Sequence, residues 1–239
     1  MDKKILFFDT ETTGNEEKDR LIQVAYKIGE KTGNELFKPE IPISFESMAV
    51  HHITTKMVAD KPEFKYSKMF DELHKMAHDP NIIFVAHNAP FDLAMFKKEG
   101  LIPEKYICTL KVSRFLDTEE KISSYRLQYL RYFLGIEIEA VAHDALGDVL
   151  VLEKLFERLF SKIQKEENLS WNETIEKMIE ITEKPLLMKR INFGKHKGKT
   201  VEEIAKIDSG YLKWLLDEKL KAPTGEEDWI YTLEYYLKK

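Results

Sequence analysis

The chain has 239 residues, 43% hydrophobic and 33% charged, with 10 Gly and 8 Pro, which excludes a disordered, collagenous or low-complexity polypeptide and leaves room for one or two domains. Its 37 basic and 42 acidic residues give a net charge of −5, so any contact with nucleic acid needs a local basic patch rather than the overall field. Cys108 is the single cysteine, which excludes an internal disulfide and a cysteine zinc cluster and fits a reducing compartment. No apolar run approaches the roughly 18–20 residues of a membrane span, and the short run before Asp9 does not make a secretory signal. A cytoplasmic protein without membrane contact is expected.

Ile5-Leu6-Phe7-Phe8 is an apolar run of β type ending in Asp9, and amphipathic extended stretches follow over Leu21–Ile28 and 36–43. Three early strands in a meander are predicted. A helix is expected over 63–78, a buried strand over 82–85, and a helix opening near Asn88-Ala89-Pro90. Beyond Cys108 the chain reads as mostly helical, and its strongest helix runs over 144–160, with Val149, Leu152, Phe156 and Leu159 at helical spacing. Strands first and helices later predict an α/β fold, a mixed sheet flanked by helices.

The polar stretch 161–169 reads as a linker or frayed helix end. Ser170-Trp171-Asn172-Glu173 is a capping-box pattern opening a short helix to about Thr182, and Pro185 closes it. Met188 to Phe193 reads as a strand, 194–199 as a flexible basic loop, and Thr200-Val201-Glu202-Glu203 as a second capping box before two or three short helices. The expected organisation is a main domain over 1–165, a helical linker over 166–185, and a small α+β unit over 186–239. That unit is near the lower limit for independent folding, so it is expected to dock on the larger domain or on a partner.

The chemistry resides in carboxylates. Asp9 and Glu11 sit two positions apart at the end of an apolar strand, so period-two geometry puts both on one face. Asp92, in the first turns of the helix that opens near Asn88, shares a face with Met95 and Phe96. Asp148 shares a stripe with Leu152, Leu155 and Leu159, where an unpaired buried charge would cost several kcal/mol. It requires a cation. A buried Lys or Arg would serve as well as a metal, but none lies beside it at helical spacing. His143 approaches from the loop before the Asp148 helix, with Asp144 as the natural N-cap. Four acids on one site raise one another's pKa unless cations compensate. An all-oxygen ligand set favours Mg²⁺ or Mn²⁺, two such ions suit in-line displacement at phosphorus, and a histidine titrating near neutrality suits proton removal from water. Phosphodiester hydrolysis is the chemistry indicated.

These residues resemble, in order and context, the DnaQ-like (DEDDh) 3′–5′ exonucleases. The motifs are Phe8-Asp9-Thr10-Glu11-Thr12-Thr13-Gly14, Ala86-His87-Asn88-Ala89-Pro90-Phe91-Asp92 and His143-Asp144-Ala145-Leu146-Gly147-Asp148, with Val50-His51-His52-Ile53-Thr54 as an intermediate loop. Within that family the chain also resembles the exodeoxyribonuclease X branch, through Met57-Val58-Ala59-Asp60-Lys61-Pro62, Ile107-Cys108-Thr109, Phe193-Gly194-Lys195-His196-Lys197-Gly198-Lys199 and Tyr211-Leu212-Lys213-Trp214-Leu215. It implies a ribonuclease H-like fold and release of nucleoside 5′-monophosphates from DNA 3′ ends, single-stranded or frayed, in DNA repair. It makes Asp9, Glu11, Asp92 and Asp148 ligands of two Mg²⁺ ions, with Mn²⁺ able to substitute, and His143 the general base. It also places Thr10, Thr12, His87, Asn88 and Phe91 at the nucleic acid, with other repair or replication proteins as further partners. Many relatives carry an apolar wedge directly after the first motif's glycine. Asn15 and Glu16 stand there in this chain, so separation of the 3′ end by that wedge is not implied.

Between 186 and 200 the charged residues are Lys189, Arg190, Lys195, Lys197 and Lys199, all positive. Lys195, Lys197 and Lys199 are the candidates for tracking phosphates. Gly194 to Gly198 encloses three residues where a nucleotide-binding P-loop needs four, which excludes that motif. Tyr211 and Trp214 are open to two readings, base stacking or a small core. An exoribonuclease on the same fold and a noncatalytic DNA-binding subunit remain the alternatives.

Overall fold

Alternation of buried side chains builds the sheet. In β1 (Lys4–Thr12), Leu6 and Phe8 face one side and Phe7 the other, so both faces of this central strand are covered. β2 (Leu21–Ile28) and β3 (Lys31–Leu36) continue antiparallel from β1, while β4 (Ile82–Ala86) and β5 (Tyr106–Cys108) add in parallel on its other edge, giving the order β3-β2-β1-β4-β5. The structure is a computed structural model; it describes residues 3–138, 145–221 and 225–238 and falls into two compact units, Met1–Thr182 and Glu183–Lys239.

In the first unit, α1 (Phe45–His51), α2 (Thr55–Val58), a 3-10 turn at Phe64–Tyr66 and α3 (Lys68–Ala77) follow β3. α4 (Ala89–Lys98) follows β4, and α5 (Thr109–Leu116), α6 (Leu127–Phe133), α7 (Ala145–Glu167) and α8 (Trp171–Glu183) follow β5. One sheet face, with Leu6, Phe8 and Phe84, packs on Leu73 of α3 and Phe96 of α4. The opposite face, with Phe7, Ile83 and Ile107, packs on Val112, Leu130, Leu152 and Met178 of α5 to α8. Phe7 and Phe156 meet edge to face at 5.3 Å, fixing α7 across β1, and Lys27 of β2 reaches Glu153 of α7 at 2.6 Å.

Several elements differ from the sequence expectation. The third strand is Lys31–Leu36 rather than 36–43, because Gly29 turns the chain back at φ +55° and Pro39 and Pro42 cannot donate to a ladder. The helix expected over 63–78 is divided at Ser67, whose hydroxyl caps α3 by accepting from Phe70 N at 3.0 Å. β5 extends the sheet where none was expected. α7 runs on to Glu167 rather than fraying at 161, because Ile163 continues the buried stripe of Phe156 and Leu159. α8, expected within a linker, buries Ile175, Met178, Ile179 and Ile181 in the first unit's core.

In the second unit, α9 (Val201–Ile207), α10 (Ser209–Lys221) and α11 (Glu227–Leu237) surround Ile191, Val201, Ile204, Leu212, Leu215 and Leu233. The strand expected over 188–193 is reduced to a single bridge, Arg190 to Thr200. Ile191 and Gly198 bond across it (Gly198 N to Ile191 O, 2.7 Å), closing the basic loop, whose first turn is a 3-10 turn at Gly194–His196. The Thr200 capping box forms as expected, with Thr200 N donating to Glu203 Oε2 at 2.8 Å and Glu203 N to Thr200 Oγ1 at 3.1 Å.

Candidate active site

β1 extends to Thr12, so Asp9 and Glu11 stand within the strand and continue the face that carries Phe7, toward α7. Next to Glu11 the β1/β2 register shifts: Glu11 pairs with Gln23 and Thr12 with Leu21, an irregularity that adds local twist beside the acids. Asp148 lies in the first turn of α7 and is 8% exposed. One carboxylate oxygen from each of Asp9, Glu11 and Asp148 lies within 4.8 Å of the others. Gln128 Nε2 of α6 donates to Asp148 Oδ1. Sequence reading missed Gln128, since a single polar residue on a short helix carries no periodic signal.

Asp92 is not part of that trio. β4 stops pairing with β1 at Phe7/Val85, and beyond this point Thr10 N donates to Asp92 Oδ1 at 3.1 Å and Thr10 Oγ1 donates to the same oxygen at 2.6 Å. Asp92 is held against the strand residue between Asp9 and Glu11. Its carboxyl is pushed up to about 7 by burial, opposed by the Thr10 hydroxyl and amide. Asn88 occupies the N-cap position of α4 with φ +66°, a left-handed conformation that asparagine tolerates, and turns the chain directly from β4 into the helix that carries Asp92. His143 and Asp144 lie outside the described residues.

The remaining positions expected at nucleic acid divide into inward and outward groups. The hydroxyls of Thr10 and Thr12 are turned inward, the first to Asp92 and the second to Gly14 O at 2.5 Å. His87 is also committed: Nε2 donates to Tyr125 O at 2.6 Å, which leaves Nδ1 to accept from Thr109 Oγ1 at 2.9 Å. Burial lowers its pKa to about 4, so the ring is neutral. Asn88 is exposed, and Phe91 lines a groove with Glu11, Asn15, Glu16, Ser47 and His51. His51 Nδ1 accepts from Ile53 N at 2.9 Å, so Nε2 faces Thr12 O at 3.2 Å as a donor. The turn carrying Asn15 and Glu16 is held by buried Asp19, which accepts from Thr13 Oγ1 and Glu16 N, each at 2.7 Å. A Cβ on Gly14 would lie 2.7 Å from Asp19 Cγ, so the close approach requires glycine.

In the second unit Lys195 is engaged: its Nζ lies 2.6 Å from Asp208 Oδ2, which also meets His196 Nε2 at 2.9 Å. These bonds hold the Asp208 carboxyl well below the usual range. Lys197 and Lys199 lie exposed on the loop, while Arg190 Nη1 donates to Gly198 O at 2.9 Å. Tyr211 packs edge to face on His196 at 4.8 Å and Trp214 lies 5.5 Å from Tyr211, with the Trp214 side of the pair 53% exposed.

The trio suits a hard divalent cation. All three donors are carboxylate oxygens, and ligand distances of about 2.1 Å for Mg²⁺ put neighbouring ligand oxygens about 3 Å apart, inside the observed spread.

The sheet order and the helices on both faces are those of the ribonuclease H-like fold, with the acids carried near the end of β1. The chain belongs to the exonuclease family: residues 6–156 match the family described as Exonuclease. Residues 191–219 match the family described as Exodeoxyribonuclease X-like C-terminal. The chain is 33% identical over 205 residues to Exodeoxyribonuclease 10 of Escherichia coli strain K12, covering 84% of this chain and 83% of that protein. It is 29% identical over 190 residues to the DNA polymerase III subunit epsilon of Treponema pallidum, covering 72% of this chain and 86% of that one. Among solved structures it is similar to exonuclease X in complex with 5′ overhanging duplex DNA, with a TM-score of 0.56 and 27% identity over 74% of this chain and 99% of that one. Its fold also matches E. coli exonuclease I in complex with a dT13 oligonucleotide, with a TM-score of 0.59 and 20% identity over 70% of this chain and 43% of that one. Among the described residues no helix is long and apolar enough to cross a membrane.

Proposed function

We propose that the chain is a divalent-metal-dependent 3′–5′ exodeoxyribonuclease that releases nucleoside 5′-monophosphates from DNA 3′ ends in cytoplasmic DNA repair, beside other repair or replication proteins. The observation that carries this reading is the carboxylate trio of Asp9, Glu11 and Asp148, with Asp92 bound to the intervening Thr10. These four acids would hold two Mg²⁺ ions, or Mn²⁺ in their place. When bound, such ions polarise the phosphoryl group and stabilise the charge that develops on its oxygens.

The chain's own groups do the rest. β1 and α7 bring Asp9, Glu11 and Asp148 together before substrate arrives, which is the preorganisation that electrostatic catalysis requires. Thr10 orients Asp92. His143, the general base that the family resemblance implies, takes the proton of the attacking water on a ring nitrogen. Asn88 and Phe91 meet the terminal nucleotide, while the His87 ring, with both nitrogens bonded to Thr109 and Tyr125, ties the end of β4 to its neighbours. Thr10 and Thr12, with their hydroxyls bonded to Asp92 and Gly14 O, shape the end of the strand next to the nucleic acid. The region over 186–239 is a second domain whose Lys197 and Lys199 track DNA phosphates, with Lys195 shaping the loop through Asp208.

The test is a 5′-end-labelled single strand incubated with Mg²⁺. Stepwise shortening from the 3′ end, stopped by chelator and by Asp9→Ala, is expected. Loss of the 5′ label first, or full activity in chelator, rejects the reading, and a matched RNA oligomer degraded in preference to DNA would make the enzyme an exoribonuclease.

A further inference from the structure

α6 brings one side chain to the carboxylate trio. Leu130 anchors the helix in the core, and Gln128 and Arg131, three residues apart, share a neighbouring face. Gln128 Nε2 donates to Asp148 Oδ1, while Gln128 Oε1 accepts from Arg131 Nη1 at 3.4 Å. Arg131 is itself set by Nη2 donating to the Ile138 carbonyl at 2.7 Å.

The order of these groups has a chemical meaning. A glutamine amide can present either its oxygen or its NH₂ to a neighbour, whereas a guanidinium only donates. Arg131 therefore selects the amide oxygen for itself and turns the NH₂ toward Asp148. A lysine or arginine in direct contact with Asp148 would compete with a metal ion for the negative charge. A neutral amide bonded to Oδ1 fixes the carboxylate's rotamer without adding a positive charge that would compete with a cation. Outer partners of this kind commonly change metal affinity by about 10–100-fold when removed.

We infer that Gln128, oriented by Arg131, is a positioning residue that holds the Asp148 carboxylate in its metal-binding orientation. The inference rests on the proposed role of Asp148 as a metal ligand. It also makes α6 part of the site, although α6 carries none of the sequence motifs that define the acids.

Gln128→Met keeps the side chain's length and removes the amide; Gln128→Asn keeps an amide too short to reach Asp148 and serves if the first variant does not fold. The readouts are Mn²⁺ affinity by titration calorimetry on the full chain, melting temperature in chelator, and hydrolysis of a single-stranded DNA oligomer as a function of Mn²⁺. The expected result is an Mn²⁺ affinity about 10–100-fold weaker, a cooperative melting transition retained in chelator, and kcat restored at saturating Mn²⁺. Unchanged Mn²⁺ affinity overturns the proposal, as does a fall in kcat that saturating Mn²⁺ does not restore. Wild-type Mn²⁺ binding that survives Asp148→Asn would instead show that Asp148 is not a ligand, so failure of the underlying assignment is separable from failure of the Gln128 role.

Discussion

Replacing Asp148 by asparagine separates the electrostatic cost of the site from its metal affinity. The variant keeps the Oδ1 acceptor for Gln128 and the buried volume, and removes one charge from three oxygens that lie within 4.8 Å of one another. At that separation and an effective dielectric constant of about 20, each like-charge pair costs roughly 3 kcal/mol. Asp9 and Glu11 are only half-buried, so solvent screening reduces the relief from both pairs together to about 1–2 kcal/mol. For a unit of this size that corresponds to a melting temperature about 2–8 °C higher in chelator. If the trio is part of the proposed metal site, adding Mg²⁺ at about a hundred times the wild-type Kd should stabilise the wild type by about 2.7 kcal/mol and the variant much less, because the variant offers one anionic ligand fewer. The order of stability therefore reverses between chelator and magnesium, as read by thermal unfolding of the two proteins side by side. A variant that melts lower than wild type in chelator would mean instead that the protein's own groups already neutralise Asp148.

His87, held neutral with its pKa lowered to about 4 by burial, binds fewer protons folded than unfolded between pH ~4 and its ordinary value near 6.5. Its contribution to stability is full above that window and is lost as pH falls through it, by up to roughly 3 kcal/mol; His87→Gln should flatten the pH dependence of the melting temperature there, and coincident slopes would contradict the buried neutral ring. In the second unit, Lys197→Ala with Lys199→Ala should weaken single-stranded DNA binding and reduce its salt slope by up to about 0.7 per lost contact. Lys195→Ala, which breaks the 2.6 Å pair with Asp208, should lower the unit's melting temperature and leave that slope nearly unchanged. Equal slope changes for Lys195 and the outer lysines would contradict the division between them.

What the sequence shows and what it hides follow the range of the interactions. The pairing of Asp9 with Glu11 is legible because strand periodicity is local, and Asp148 is legible because it interrupts an apolar helical stripe. The cap at Thr200 is legible for the same reason: its partners are three residues apart. Contacts formed only on folding leave no such trace. Gln128 meets Asp148 across 20 residues, Thr10 takes Asp92 across 82, and Lys195 is claimed by Asp208 after 13 residues of loop and helix. The displaced third strand has a different cause: the alternation over 36–43 is genuine, but Phe37 and Ile43 bury it against separate parts of the core instead of a neighbouring strand.

Whether acids distant in sequence form one cation site is decided by a crystal of the protein soaked in Mn²⁺ with a nucleoside 5′-monophosphate. Anomalous density is expected for two ions bounded by Asp9, Glu11, Asp92 and Asp148, with the phosphate between them. Anomalous peaks elsewhere, or a basic side chain in the place of the ions, would contradict it.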